Sequence, residues 1–539
     1  MTTKRPESPQ LQGSPASPPP DYKGNFGLDC PGAFARDFGA PATSSELRPE
    51  AFGTLRGGIL VGSGIVLLGG PAVLAFATGG YFDRPRLWAG LLAWLIVALA
   101  AACSPDPRLG GRSLQLAIGA LALLAVWTMV AVSWAPVAGT AYAAAQRLVL
   151  YVGVLLGATL LLRQEKLQLA AAPILAAGAL IVMGYGLSER MLPGLLHFAR
   201  STSAEGRLEQ PLTYWNAMGE LAAIGLVLAV AVAGDPRRAG WLRRAGAAAT
   251  APLGLGLYLT FSRGALFACA AGMISLVVVA RERAVLWSLL LGLAAGILAA
   301  LSAAPFRGVT ALTGSLSTRE HQGLVTLAAV LAIMVASAVV QGHLTRREPS
   351  GWLALPRRAP WLALGLVCAG LALAVVAGAK EGSGGRLAGG ATRLTTLQSD
   401  RYDYWRVALH EFQREPLRGA GPGGWAVAWL RERPYAVGAL DAHSLPLQTA
   451  AELGIVGLAL LGAFFWGVAA AGRAAVRLAR ARAAAPLAGC VAYVAHAPLD
   501  WDWEMPAVTL LALVLAGLLL AQSAPLSSPQ RPGGEPVAL

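Results

Sequence analysis

Charge is what this chain has least of. Only 13% of its 539 residues are Asp, Glu, Lys or Arg, about half the share of an ordinary soluble protein. Acidic residues are scarcer than basic ones, 29 against 43, and Arg outnumbers Lys nearly tenfold, a usage that suggests a GC-rich bacterial genome. Cysteine is also scarce: Cys30, Cys103, Cys269, Cys368 and Cys490 form no CxxC pair, and four lie in apolar runs. That pattern implies neither a disulfide framework nor a zinc site, and reads as thiols acting as small buried hydrophobes. No segment repeats at a period of 20–50 residues, which excludes a solenoid.

Apolar runs take the place of the missing charge: 55% of residues are hydrophobic, with stretches such as LLAWLIVALAAA and TLLALVLAGLLLA. A helix of roughly 20 such residues spans the hydrocarbon core, because each residue rises about 1.5 Å. The fold class is therefore all-α, a polytopic transmembrane bundle of about 12–14 helices with a large extracytoplasmic loop. Fourteen candidate helices lie near 57–79, 86–103, 114–134, 146–162, 168–188, 217–233, 245–261, 264–280, 284–303, 323–341, 360–379, 445–470, 484–499 and 505–523. Residues 1–50, rich in Pro and Ser and without an apolar run, read as a disordered cytoplasmic tail rather than a secretory signal. Residues 51–523 form the membrane domain, and 524–539 a second cytoplasmic tail.

The net charge of +14 does not point to nucleic acid, because the basic residues sit in short loops between apolar runs. With the N-terminus inside, every even-numbered loop carries at least two positive charges. These are Arg108 and Arg112; Arg163 and Lys166; Arg237, Arg238, Arg243 and Arg244; Arg281 and Arg283; Arg346, Arg347, Arg357 and Arg358; and Arg473, Arg477, Arg480 and Arg482. The opposite loops, such as APVAGTAYAAAQ and LDWDWEM, are neutral or acidic. This alternation places the protein in a bacterial inner membrane, multi-pass, with both termini cytoplasmic.

Three outward loops are longer than turns: 189–216, 304–322 and 380–444. The last carries QSDRYDYWRVALHEFQREP, in which Tyr402, Trp405, Leu409 and Phe412, with Val407 less regularly, recur at helical spacing. This predicts an amphipathic helix on the membrane surface, ended by the GAGPGGW turn.

Charge beside apolar runs costs about 2.5–3.5 kcal/mol per group on insertion scales, so each such residue needs a reason. Arg207, Arg263, Arg401, His443, His496 and Asp500 all fall on the outward side. His496 and Asp500, four apart, share a face at the outer end of the thirteenth helix. Arg recognises phosphate oxygens through several donors and stays charged in a low dielectric. A His that titrates near neutrality can take a proton from a hydroxyl. Such a set suits transfer from a phosphate leaving group to a hydroxyl, on a substrate whose lipid tail stays in the bilayer. For any one of these residues alone the plainer reading is a snorkelling or capping role, except for Arg263, a lone Arg in a minimal turn with few other uses. His197, His321, His343 and His410 have no supporting neighbours. Trp501 and Trp503 read as an interfacial belt, and Glu452 falls on the helix face opposite His443.

HSLPLQTAAELGIVG, a His–Ser pair followed after nine residues by Gly-x-x-Gly, resembles the histidine motif of the O-antigen ligase superfamily, which includes polysaccharide polymerases and oligosaccharyltransferases. RLEQPLTYWNAMG, TFSRGA, DRYDYWRVALHEFQREPLRGAGPGGW and HAPLDWDWEMP resemble further family segments in the same order, so the resemblance covers about 200–505. The helix count departs from the twelve of typical members, with the extra pair around 284–379. The resemblance implies metal-independent glycosyl transfer, without a cofactor, from a polyprenyl-diphosphate-linked glycan to a glycan, lipid or protein acceptor outside the cytoplasm. It implies catalytic roles for His443, Arg263 and Arg401, and substrate-binding or supporting roles for Arg207, Arg406, His496 and Asp500. Arg401 and Arg406 precede the same turn, and either fills the loop-arginine role. A polymerase, whose acceptor is another lipid-linked glycan, fits equally. A solute transporter fits less well, because the charges lie at one face and no inverted repeat appears. An inactive scaffold for glycan export would leave the Arg/His set without a use.

Overall fold

The computed structural model describes residues 48–104, 110–347 and 399–523, with most of 351–372 and Leu394. One compact unit spans Gly53–Leu539; of the other, Met1–Phe52, only the opening of the first helix is described. The tails expected at 1–50 and 524–539, and nearly all of 380–398, lie outside the described residues. So does much of the helix expected at 360–379.

Among the described residues the chain is helical and contains no strand. The helices are α1 (Arg48–Ala75), α2 (Asp83–Cys103), α3 (Arg112–Ala131), α4 (Ala138–Leu161), α5 (Glu165–Met191), α6 (Trp215–Gly234) and α7 (Gly240–Leu259). They continue with α8 (Arg263–Ala280), α9 (Arg283–Ala303), the single turn α10 (Arg307–Thr310) and α11 (Leu316–Arg347). Beyond the long loop come α12 (Arg401–Arg414), α13 (Gly424–Glu432), α14 (Leu445–His496) and α15 (Pro506–Gln522). Ten of the described helices are long and apolar enough to cross a membrane. The protein is a multi-pass helical membrane bundle.

α6 lies at the centre: from Asn216 to Gly234 every residue is buried. A helix apolar on all sides can only be a core helix or face lipid, and here α5, α7, α8, α9 and α14 enclose it. Small residues let the backbones approach: a Cβ on Gly225 would lie 2.6 Å from Ala179 Cβ, and one on Gly219 2.8 Å from Ala265 Cβ. Close packing of this kind holds helices together where lipid supplies no hydrophobic driving force. α2 is the contrasting case, with Leu87, Trp88, Leu91 and Leu95 facing outward.

The expected helices at 445–470 and 484–499 are one element, α14, with helical geometry broken at Gly454 and Ala479. Gly454 adopts φ +63°, ψ −163°, and a Cβ there would lie 2.4 Å from Leu417 O; only glycine fits that conformation. The break frees three carbonyls, which other elements satisfy. Ala420 N donates to Ala451 O at 2.9 Å, Gly421 N to Glu452 O at 2.8 Å, and Trp127 Nε1 to Leu453 O at 3.0 Å. The glycine of the histidine motif thus opens a docking point for the GAGPGG segment.

α12 is the helix expected in the long loop, but its buried stripe is turned from the expected one. Tyr404, Val407 and Ala408 are enclosed and Leu409 is exposed. The reason is packing against protein: Tyr404 meets the Trp425 and Trp429 rings of α13 at 5.7 and 4.7 Å between centroids. The basic loops gather at the opposite end of the bundle, where Arg237, Arg238 and Arg482 line one cavity with Gln168 and Gln522.

Candidate active site

Asp500 is the hub of the other end. It is wholly enclosed and accepts from Arg401 Nη2 at 2.5 Å, Tyr214 Oη at 2.6 Å and its neighbour Trp501 N at 2.9 Å. Burial alone would raise its pKa, but Arg401 and the nearby histidines hold it below the usual carboxylate range. Arg401 opens α12 and Tyr214 precedes α6, so the hub ties the long loop to the central helix.

His443 stands just before α14 with φ +52°, a conformation in which non-glycine residues are uncommon. Its Nδ1 lies 2.9 Å from Asp441 O. A carbonyl only accepts, so Nδ1 carries the proton and Nε2 is the basic nitrogen. The ring lies 5.2 Å from Tyr404 and 6.1 Å from Trp501 between centroids. Burial, reinforced by the Arg401 charge and opposed by Asp500, lowers its pKa to about 4, so the imidazole is neutral at pH 7. Burial, with Glu504 nearby, raises the Asp441 carboxyl to about 7.

Arg263 begins α8, whose N-cap Ser262 Oγ accepts from Ala265 N at 3.3 Å. The next residue lets α8 meet the end of α14: a Cβ on Gly264 would lie 2.8 Å from His496 Nε2 and 3.8 Å from Leu499 Cβ. Arg263 and Arg401 therefore flank the same 496–500 turn. Arg207 stacks over Trp215 at 3.7 Å and donates through Nε to Ala204 O at 2.7 Å. Trp215 in turn lies 5.0 Å from Tyr214. Arg207, Arg263, Arg401, His443 and Asp500 thus gather at one end.

Two expected residues are placed elsewhere. α14 ends at His496, so Asp500 lies in the following turn and the two share no helix face. His496 is wholly enclosed, pairs with Asp502, and has Glu220 at 3.9 Å; it supports the turn from within. Arg406 points away from the hub, its side chain 55% exposed and paired with Asp403 at 2.5 Å.

Sequence reasoning missed Tyr214, Asp441, Gln448 and the buried Arg147–Glu504 pair. For Arg147 a signal existed: an Arg inside a candidate span at 146–162 demands a partner. Tyr214 and Gln448 are ordinary in sequence and acquire a role only through contact. Glu452, set apart from His443 by helix phase, accepts from Gly423 N at 2.9 Å.

Residues 323–462 match the family model described as O-antigen ligase. That segment is similar to an O-antigen ligase domain. No curated protein matches the chain. The matched segment is narrower than the 200–505 over which motifs were read. It holds Arg401, Arg406 and His443, while Arg207, Arg263, His496 and Asp500 lie outside it and reach the O-antigen ligase segment through the fold. The match supports, in general terms, a function of O-antigen ligase or polymerase type.

Proposed function

We propose that this protein is a metal-independent glycosyltransferase that moves a glycan from a polyprenyl-diphosphate carrier to an acceptor on the extracytoplasmic face of a bacterial inner membrane. The observation that carries the reading is a neutral His443, its basic Nε2 left by the Asp441 contact, beside an Asp500-anchored Arg401 at one end of an O-antigen ligase bundle. In this reading Arg401 and Arg263 bind the donor diphosphate, with Arg207 behind them. The acceptor oxygen attacks the anomeric carbon, its proton passes to His443 Nε2, and the carbon–oxygen bond to the diphosphate breaks. Arg cations stabilise the departing charge. Membrane domain 51–523 carries this site, with 380–444 extracytoplasmic and the two tails cytoplasmic, in line with the basic loops at the far end.

The test is rescue of cells lacking the protein. His443→Ala should insert normally and lower glycan transfer by about 10²–10⁴-fold, the range general-base loss costs. Accumulation of long lipid-linked chains identifies a ligase, and single repeat units a polymerase. Full rescue by His443→Ala ends the catalytic reading.

A further inference from the structure

Three stretches that carry the site's residues meet at the turn from His496 to Asp502. Asp500, within the turn, holds Arg401. Leu445 N, two residues after His443, donates to Ala497 O at 2.9 Å. Gly264, next to Arg263, passes so close that a Cβ there would lie 2.8 Å from His496 Nε2. A shift of this turn would therefore disturb both arginines and the histidine.

α6 grips the turn at two points, Asn216 and Glu220, which are four residues apart and share a helix face. Asn216 Nδ2 donates to Tyr214 Oη at 2.7 Å, and Tyr214 Oη donates to Asp500 Oδ1 at 2.6 Å. Glu220 is wholly enclosed, and its Oε2 lies 3.9 Å from His496 Nδ1. The same nitrogen hydrogen-bonds to Asp502, whose carbonyl accepts from Thr509 Oγ1 at 2.7 Å. The His496 ring thus turns Nδ1 toward two carboxyl groups and Nε2 toward Gly264.

Neither oxygen of Glu220 has a hydrogen-bond partner among the described residues. An enclosed carboxyl group without one costs a membrane helix stability. Apolar residues of similar volume in place of buried ionisable groups are often neutral or stabilising. What Glu220 contributes therefore lies in its action on His496 rather than in the stability of the bundle.

We propose that Glu220 is a positioning residue for the transfer reaction, holding the His496 ring so that the 496–502 turn keeps Arg401, Arg263 and His443 in register. The proposal rests on the glycosyl-transfer reading above and adds to it a residue that touches neither substrate. Glu220 and Asp502 act on the same nitrogen, so the ring cannot rotate without leaving both. The turn then presents Asp500 to Arg401 in one fixed place.

Glu220→Gln and Glu220→Asp test this, because packing and chemistry predict opposite orders. Glu220→Gln keeps the size and removes the carboxyl group; Glu220→Asp keeps the carboxyl group on a shorter arm. Both variants and Arg401→Ala are purified as the full chain in detergent, melted, and titrated with farnesyl diphosphate, read by tryptophan fluorescence. The same variants are expressed in cells lacking the protein, and surface glycan is measured. Glu220→Gln should melt no lower than wild type and bind farnesyl diphosphate at least about fivefold more weakly. It should restore less than about a tenth of the glycan, since a misplacement of about 1 Å can cost 100-fold in rate. Glu220→Asp should fall between Glu220→Gln and wild type in both assays. A role in packing alone predicts the reverse order, with Glu220→Asp the worse because it leaves a cavity, and losses that follow a lowered melting temperature. That result overturns the proposal, as does wild-type binding and glycan with Glu220→Gln. If Arg401→Ala binds the probe as tightly as wild type, the donor reading fails separately, and the order of the two Glu220 variants in the glycan assay still decides the role of Glu220.

Discussion

Two arginines five positions apart, Arg401 and Arg406, illustrate how residue type underdetermines role. One opens α12 with its guanidinium 2.5 Å from the enclosed Asp500; the other, itself 55% exposed, pairs with the buried Asp403 at the same distance. A pair whose cation faces solvent is screened and contributes little. Arg406→Ala should therefore transfer glycan within about twofold of wild type, whereas Arg401→Ala should lose at least about 100-fold, consistent with removal of a charge-assisted contact to the leaving group. Equal losses in a surface-glycan assay would remove the distinction. His443 makes a second prediction. A base must be unprotonated to act, and burial lowers this imidazole to about 4. The acid limb of the rate–pH profile should then fall near pH 4 rather than near the usual histidine value of about 6.5. A midpoint near 6.5 in a membrane assay between pH 4 and 8 would contradict the enclosed environment.

At the scale of elements, the break in α14 governs how the long loop is held. Gly454 keeps a φ of +63° against Leu417 O, and the 416–421 segment hydrogen-bonds to the carbonyls that the break exposes. Gly454→Ala should detach that segment, since an L side chain costs about 1–3 kcal/mol in such a conformation even before the clash. Limited proteolysis should then cut within 415–424 in the variant and spare wild type; equal resistance would show that the segment docks without the break. The runs at 445–470 and 484–499 were legible as apolar spans, but their continuity through Arg473–Arg482 was not. A string of arginines reads as a loop whether or not the backbone stays helical. The face of α12 was misjudged for a similar reason. Tyr402, Trp405 and Leu409 form a plausible stripe, yet the rings of Trp425 and Trp429, about 20 residues away in sequence, select Tyr404 and Ala408 beside the expected Val407.

For the whole molecule, the basic loops meet at one end and the Asp500 hub lies at the other. In the proposed orientation the basic end faces the cytoplasm. Ser203→Cys, in the loop before α6, should react with a membrane-impermeant maleimide in intact cells, and Arg482→Cys only after permeabilisation. The reverse pattern would invert the topology and place the hub in the cytoplasm. The matched segment 323–462 holds only part of the hub. Asp500 and Tyr214 come from the 497–505 turn and the start of α6, so the rest of the bundle completes the site.

Composition and periodicity alone determined that the chain is a helical membrane bundle, because span length and loop charge are local properties set by bilayer thickness and potential. The histidine motif and the outward arginines were legible for the same reason: charge beside lipid is conspicuous in a sequence. Which arginine meets Asp500, which nitrogen of His443 is basic, and how Gln448 holds the Asp441 carboxyl beside that histidine were decided only by tertiary structure. The first depends on a contact across 99 positions and the others on how the chain folds back just before α14, and no periodic pattern encodes either.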